Sequence, residues 1–387
     1  MRILFDVAGL RKGGAVQGAT SFIREAIQDD SGHRWCFAVS SVLRDQIDRF
    51  DVKTEDRIEV FDRAPVRCRP SRRRLRQLEA EFAPDCVLTP SGPAYVEFRA
   101  PHMLGIQLPW FTHATWSTYR MALPLYLWPR SIPLSLYRIF WFRRADAWVT
   151  QTETSRQGFS RRVGVPAEKV AVVSNTCGQA YFEHQAERPF PASTAKVRLL
   201  CFAAAYRHKR LELIPHVIAR LAELRPQLDF EFVITLPAHD KTLACVMRIA
   251  ERLGVAGRIH NAGLIAVADG PALYRDCDVC FLPTVLETFT ATYPESMAMG
   301  LPIVTSRLGF ATDVCRDAAL YFQPNDAADA AAKLDQLLGD EALWKRLVVR
   351  GKTVLQSLPT PRDRYRLFVE SLQNMVDGRP VYQSSAG

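Results

Sequence analysis

Short apolar runs rich in β-branched and aromatic residues alternate with longer amphipathic stretches along the whole chain. In the first half, RILFDVA, WCFAVSS, RIEVFD, CVLTPS, HMLGIQL, AWVTQT and VAVVSN have the length and composition of strands. Between them, residues 21–28, 40–49, 72–81 and 154–163 place apolar side chains at helical spacing. Residues 178–196, with EHQAERPFPAST inside them, break the pattern and read as a linker. The second half repeats the theme, with VRLLCFAA, FEFVIT, IHNAG, VCFLPT, PIVTS and ALYFQ as strands. Its helices fall at 211–224, 242–253, 268–276, 294–299 and 327–338. Strands alternating with helices predict an α/β protein with parallel, doubly wound sheets, which bind ligands beyond the carboxyl ends of their strands. No internal repeat of solenoid length is present.

A chain of 387 residues, 48% hydrophobic, has material for two cores and is not a disordered protein. No window supplies the ~20 uncharged apolar residues of a membrane span. Asp6 interrupts the first apolar run, so the N-terminus reads as a strand and not a signal peptide, and a cytoplasmic location is expected. Nine irregularly spaced cysteines fit reduced thiols; Cys277 and Cys280 form the one CxxC, without a second pair at zinc-ribbon spacing. No dense Asp/His cluster suggests a metal. The net charge of +9 points to an anionic partner without choosing among nucleotide, lipid headgroup and nucleic acid.

The sharpest chemical signal is Glu287-Thr-Phe-Thr-Ala-Thr-Tyr-Pro-Glu295, between a buried-strand pattern and a helix that Gly300 stops. Amides at a helix start accept an anion, and flanking carboxylates accept hydrogen bonds from hydroxyls. Anion plus polyol describes a nucleotide sugar. By helix dipole alone, Glu295 is equally at home at a helix start. Lys209, in AAAYRHKRLEL, follows a strand and opens a helix, the place for a cation beside a diphosphate; Arg207 or Arg210 could add a second charge. Gly13-Gly14 forms a turn that lets backbone approach a ligand, although GGAVQG lacks the dinucleotide-binding spacing.

The E-x7-E loop, in order with Gly13-Gly14, Gln151-Thr-Glu-Thr, Val173-Ser-Asn-Thr176 and His208-Lys209, resembles the retaining GT-B glycosyltransferases of family 4 over most of the chain. The resemblance implies two Rossmann-like domains facing across a cleft: 1–180 with a returning helix in 362–387 on the acceptor side, and 190–361 on the donor side. It implies that Lys209 contacts the donor diphosphate, Glu287 the transferred sugar and Glu295 the ribose. Thr288, Phe289, Thr290 and Ala291 would then offer backbone amides, and Gly13 and Gly14 would face the donor. Thr290 stands where the family often has glycine, which would narrow the loop, and Ala203 where it often has arginine. Gln107 stands where many members have a histidine; His113 is the alternative, with His102 at the strand start. Neither a cofactor nor a metal is implied, the nucleotide sugar being a substrate.

Six arginines lie between Arg67 and Arg76, and residues 110–144 interleave aromatics with Arg120, Arg130, Arg138, Arg143 and Arg144. Such mixtures suit an anionic membrane surface, hence a polyprenyl- or other lipid-linked acceptor, or else helices that bury their aromatics and expose their arginines. No nucleic-acid-binding module is recognisable. Two rival functions share the scaffold: a nucleotide-sugar 2-epimerase-like isomerase, and a noncatalytic sugar- or lipid-binding protein.

Overall fold

The computed structural model describes residues 1–382 apart from 12, 49, 123–124, 185–187 and 193–194. Thus the end of the 40–49 helix, parts of the 178–196 linker and the last five residues of the returning segment lie outside the described residues. The chain divides into two compact units. The first holds residues 1–113, 126–176 and 359–387; the second holds 114–125 and 177–358.

In the first unit β1 (Arg2–Val7), β2 (Arg34–Ser40), β3 (Arg57–Phe61), β4 (Cys86–Thr89), β5 (His102–Gly105), β6 (Ala147–Thr150) and β7 (Val170–Val172) form a seven-stranded sheet in the order β3-β2-β1-β4-β5-β6-β7. Every pairing is parallel. Helices cover both faces, which is why most of these strands are near-continuous apolar runs with no polar alternation. The strand direction of growth reverses between β1 and β4.

The second unit repeats this plan with β8 (Val197–Cys201), β9 (Phe230–Ile234), β10 (Ile259–Asn261), β11 (Val279–Leu282), β12 (Ile303–Ser306) and β13 (Ala319–Phe322), ordered β10-β9-β8-β11-β12-β13. Its reversal falls between β8 and β11. A crevice opens at the carboxyl ends of such a pair, because the connections leave in opposite directions there. The motif residues Lys209 and Glu287 follow these two strands.

Several elements differ from the sequence expectation. The first helix runs Gly14–Ile27, seven residues earlier than the apolar spacing alone suggests, because its glycine-rich first turns carry no periodic signal. Helix Gln179–Glu183 occupies part of the expected linker, and its Tyr181 packs edge-on against Tyr274 with ring centroids 5.4 Å apart. Strand β5 ends at Gly105, so Gln107 lies in the following connection and not at the strand's end. Residues 211–213 form a 3-10 turn before helix Ile214–Leu224.

The terminal helix, Pro361–Val376, packs within the first unit. A reciprocal capping box between Thr360 and Asp363, with Pro361 at the first helical position, defines its start. Phe22, on helix Gly14–Ile27, inserts between the terminal helix and the sheet. Its ring lies 4.6 Å from Phe5, 5.5 Å from Trp35, 5.2 Å from Tyr365 and 5.7 Å from Phe368. Arg362 and the Tyr365 hydroxyl both reach Asp29, at 3.2 and 2.8 Å. Truncating Phe22 to alanine removes the ring that joins three elements and should cost about 3–5 kcal/mol. Thermal unfolding should show the first unit melting earlier, with the terminal helix exposed to limited proteolysis; an unchanged profile would refute this packing role.

Candidate functional site

Residues 207–209 form a 3-10 turn after β8, and residues 283–291 connect β11 to helix Thr292–Ala298. Backbone and side-chain hydrogen bonds stitch the two connections together. The His208 carbonyl accepts from the Val285 amide at 2.8 Å and from the Thr284 hydroxyl at 3.1 Å. The turn thereby delivers Lys209 Nζ to within 2.5 Å of Glu287 Oε1, which also accepts from Thr284 Oγ1 at 3.0 Å. Both charged residues are buried. A buried pair of this kind is weak evidence for stability, since desolvation offsets most of the attraction. It does hold two groups of opposite charge side by side.

The loop between the glutamates is largely buried, yet four of its backbone amides are unpaired. Thr288, Phe289 and Thr290 are buried. The amides of Thr288, Phe289, Thr290 and Ala291 donate to no acceptor among the described residues. Native proteins pair nearly all such groups, so a run of four unpaired donors is chemically suited to a ligand with several acceptor oxygens. Thr290 does not act simply as a bulkier glycine. Its hydroxyl bonds to Thr292 Oγ1 at 3.3 Å, and Thr292 in turn donates to the Phe202 carbonyl at 3.2 Å, tying the loop to the β8 connection.

Glu295 sits in the first turn of helix Thr292–Ala298 and is buried. The Tyr274 hydroxyl donates to its Oε2 at 2.6 Å. Burial pushes this carboxyl up to about 7, against the opposing effects of the Tyr274 hydrogen bond and the Lys209 charge. Tyr274 is itself clamped by the edges of Tyr181 and Phe202, at 5.4 and 5.7 Å. Gly270 makes room for this clamp: a Cβ there would meet the Tyr181 hydroxyl at 2.2 Å. Thr284 and Tyr274 are the members of the site that sequence reasoning missed. Thr284 lies three residues from Glu287 in an apolar run, and Tyr274 twenty-one residues before Glu295. Neither spacing carries a signal.

The other basic candidates separate clearly. Arg207 is exposed on the Lys209 turn, and its side chain has no partner among the described residues. Arg210 adopts φ +51° and turns away from the loop. Its guanidinium is occupied by Asn325 Oδ1 at 2.6 Å, Glu212 Oε1 at 2.5 Å and the Met121 carbonyl at 3.2 Å. Its guanidinium thus has three acceptors within the protein, whereas that of Arg207 has none among the described residues.

In the first unit, Gly13 caps helix Gly14–Ile27 with φ +80° and ψ −172°, a conformation that in practice only glycine adopts. Gly13 and Gly14 are exposed, and added Cβ atoms would meet nothing within 4 Å. Gln107 is half-buried and makes no side-chain hydrogen bond among the described residues. His113 is also half-buried, its Nδ1 2.9 Å from Thr112 Oγ1. His102 does begin β5, is fully buried and bonds to Thr89 Oγ1 at 3.0 Å; burial lowers it to about 3, which keeps it neutral. Thr89 also reaches Asp6, whose burial raises its carboxyl to about 7. Cys277 and Cys280 are free buried thiols, each pushed up to about 12 by desolvation. Among the described residues no group of three or more His, Cys, Asp or Glu side chains could hold a metal ion.

Two doubly wound units, the second with a lysine–glutamate pair and an open-amide loop at its topological switch point, define a GT-B protein. Residues 13–177 match the family model described as Glycosyltransferase Family 4, and residues 196–340 that described as Glycosyl transferases group 1. The chain belongs to the group 1 glycosyltransferases of GT-B fold. It is 27% identical over 168 residues to the MMP alpha-(1->4)-mannosyltransferase of Mycolicibacterium hassiacum. That match spans 42% of this chain and less than half, 40%, of the relative. A glycosyltransferase structure from Rickettsia africae aligns over 97% of this chain and 98% of its own, with TM-score 0.73 and 16% identity. Anabaena HepE in complex with UDP and glucose aligns over 97% and 100%, with TM-score 0.68 and 16% identity. At such identities the likeness establishes the fold.

The Tyr274–Glu295 bond has a pH signature. The folded-state value of Glu295, about 7, exceeds the ordinary 4.5, so the folded protein binds more protons between these values. Its contribution is fully present below the ordinary value and is lost as pH rises through about 7. Tyr274→Phe removes a donor to the charged form and moves the carboxyl further up. The variant should therefore be destabilised more at pH 8 than at pH 5, the excess approaching the about 1.5–3 kcal/mol of a hydrogen bond to a charged group. Thermal unfolding of the unliganded protein at the two pH values measures it; an equal loss at both contradicts the assignment.

Proposed function

We propose that this protein transfers a sugar from a nucleotide-sugar donor to a glycan or lipid-linked acceptor, with retention of anomeric configuration, in polysaccharide or glycolipid assembly. The observation that carries this reading is the meeting of Lys209, Glu287 and four unpaired amides at the switch point of the second sheet. In the unliganded protein the lysine and glutamate satisfy one another. A diphosphate offers Lys209 a second anionic partner, and a sugar offers Glu287 hydroxyl donors, so a single ligand can replace the ion pair without stranding either charge.

Lys209, together with the exposed Arg207 and the amides of Thr288, Phe289, Thr290 and Ala291, stabilises charge developing on the departing diphosphate. These cations and dipoles do the work for which other transferases use a metal. Glu287 orients the transferred sugar and, once the anomeric centre gains positive character, attracts it. Glu295 accepts hydrogen bonds from the ribose through the oxygen that Tyr274 leaves open. Gly13, Gly14 and Gln107 keep the roles the resemblance implies, the glycines toward the donor and Gln107 as a hydrogen-bonding group that cannot act as a base. In a front-face displacement the acceptor oxygen bonds to the anomeric carbon as the carbon–oxygen bond to phosphate breaks. The acceptor proton passes to the departing phosphate oxygen. No protein nucleophile is required.

Thermal unfolding against UDP, GDP, ADP and CMP, with Lys209→Ala alongside, tests the donor site. One nucleotide should stabilise the native protein by about 2.7 kcal/mol at a hundredfold excess over its Kd, and the variant should lose that effect. No shift with any nucleotide, from folded protein, would favour a noncatalytic role. With the donor class in hand, Glu287→Ala should lower transfer by about 100-fold or more while nucleotide binding persists. Conversion of the nucleotide sugar to its 2-epimer without an acceptor would replace the transfer reading by the isomerase one.

A further inference from the structure

Helix Trp128–Phe142 in the first unit is apolar on its outer face as well as on its inner one. Its inner side packs Phe142 with Leu104 and Trp148 on the sheet, with Ile139 against the same cluster. Outside, two rows run at four-residue spacing: Pro129, Pro133 and Tyr137 in one, and Ile132, Leu136 and Phe140 in the other. All six are exposed, Ile132 at 57%, Leu136 at 63% and Phe140 at 49%. The aromatics that the sequence left open between core and surface are therefore divided, and a contiguous apolar strip faces outward. A strip of this extent on a soluble surface marks an interaction site.

The helix itself carries charge of one sign. Residues 128–144 contain four arginines and no acidic residue. Arg130 is exposed near the start of the strip; at its end the Arg144 guanidinium lies 4.4 Å over the Phe140 ring and is paired with the exposed Glu97 at 2.5 Å. A second basic helix, Arg69–Phe82, shares the layer. Its Leu75 and Leu78 pack with Val87 of β4, and Val87 and Leu104 of β5 project from the same sheet face, as Val87 pairs with His102 and Thr89 with Leu104. The connection between β4 and β5 touches both helices: Tyr95 stacks on Tyr137 at 5.8 Å, and Glu79 accepts from the Arg99 and Ala100 amides at 2.5 and 2.9 Å. On the second helix Arg74 is engaged by Glu59 and Glu81, at 2.7 and 2.8 Å. Arg69, Arg73 and Arg76 are exposed and have no partner among the described residues.

We propose that this helical layer docks on an anionic phospholipid surface, with helix Trp128–Phe142 lying in the plane of the interface. Ile132, Leu136 and Phe140 enter the boundary between headgroups and acyl chains, Tyr137 sits at headgroup level, and Arg69, Arg73, Arg76 and Arg130 meet lipid phosphates. Apolar anchors rimmed by unpaired arginines, without acidic residues in the strip, fit a lipid surface. A second copy of the chain would bring the same arginines against each other. No helix among the described residues is long and apolar enough to span a membrane, so attachment would be peripheral. Docking is independent of the transfer reaction, and would place the first unit at the surface from which a lipid-linked acceptor is drawn.

Flotation of the full chain with phosphatidylglycerol/phosphatidylcholine vesicles and with phosphatidylcholine alone tests this. The protein should float with the anionic vesicles, less so at high salt, and little with the neutral ones. Leu136→Asp with Phe140→Asp should weaken binding at least about tenfold at unchanged melting temperature. Val349→Asp, which changes an exposed valine of the second unit, should bind as the native chain does. Absence of binding to anionic vesicles, or equal binding by the double variant, would overturn the proposal. So would a dimer in light scattering that the double variant dissolves without any vesicle binding by the native chain.

Discussion

The site depends on one adjacency: β8 and β11 are hydrogen-bonded neighbours although about eighty residues of chain separate them. In a parallel doubly wound sheet these are the strands from which successive connections leave in opposite directions. The space between their ends cannot be filled by the crossover of either. The His208 carbonyl, shared by Thr284 and Val285, fixes the two connections to each other there. Lys209 and Glu287 meet because of this joint. Without the adjacency they would be two isolated charges, each too costly to bury.

That joint also explains why the loop tolerates unpaired amides. Its side chains are spent on holding it: Thr284 on Glu287, Thr290 on Thr292, Thr292 on Phe202. The backbone amides are left unpaired, and the desolvation cost they carry is of the kind that a polyanionic or polyhydroxylated ligand would offset. Glu295 belongs to the same economy of partners. Its burial would make it a poor acceptor of hydrogen bonds at neutral pH, and the tyrosine clamped between Tyr181 and Phe202 offsets part of that burden. The first unit shows a parallel case at its own switch point. Asp6 and Thr89 close the ends of β1 and β4, with buried His102 behind them.

Local pattern determined much of this molecule. Parallel strands covered on both faces must be continuous apolar runs, so most of the thirteen could be read that way from the sequence, and the alternation with helices specified doubly wound sheets. Glu287, Glu295 and Lys209 stood out because carboxylates and a cation beside apolar strands need a reason to be there. The terminal helix was legible from its proline start and its spacing of Tyr365, Phe368 and Leu372. What local pattern could not specify was partnership. Gly13 and Gly14 sit at a helix start whose first turns have no apolar period, and helix Gln179–Glu183 hides in a polar stretch because only Tyr181 is buried.

Tertiary structure alone decided which arginine is free and which is bound. Arg207 and Arg210 are equivalent in sequence, yet the left-handed turn at Arg210 sends one guanidinium to Asn325, more than a hundred residues away, and leaves the other exposed. It decided likewise that Tyr274 serves Glu295, and that the aromatics after Trp128 are split between core and surface. Periodicity reports that a helix has an apolar face, but not whether protein covers it; that depends on which sheet face and which neighbour the helix meets. Sequence fixes a residue's chemistry and its place on an element, whereas hydrogen bonds and burial between distant elements fix what that chemistry can touch.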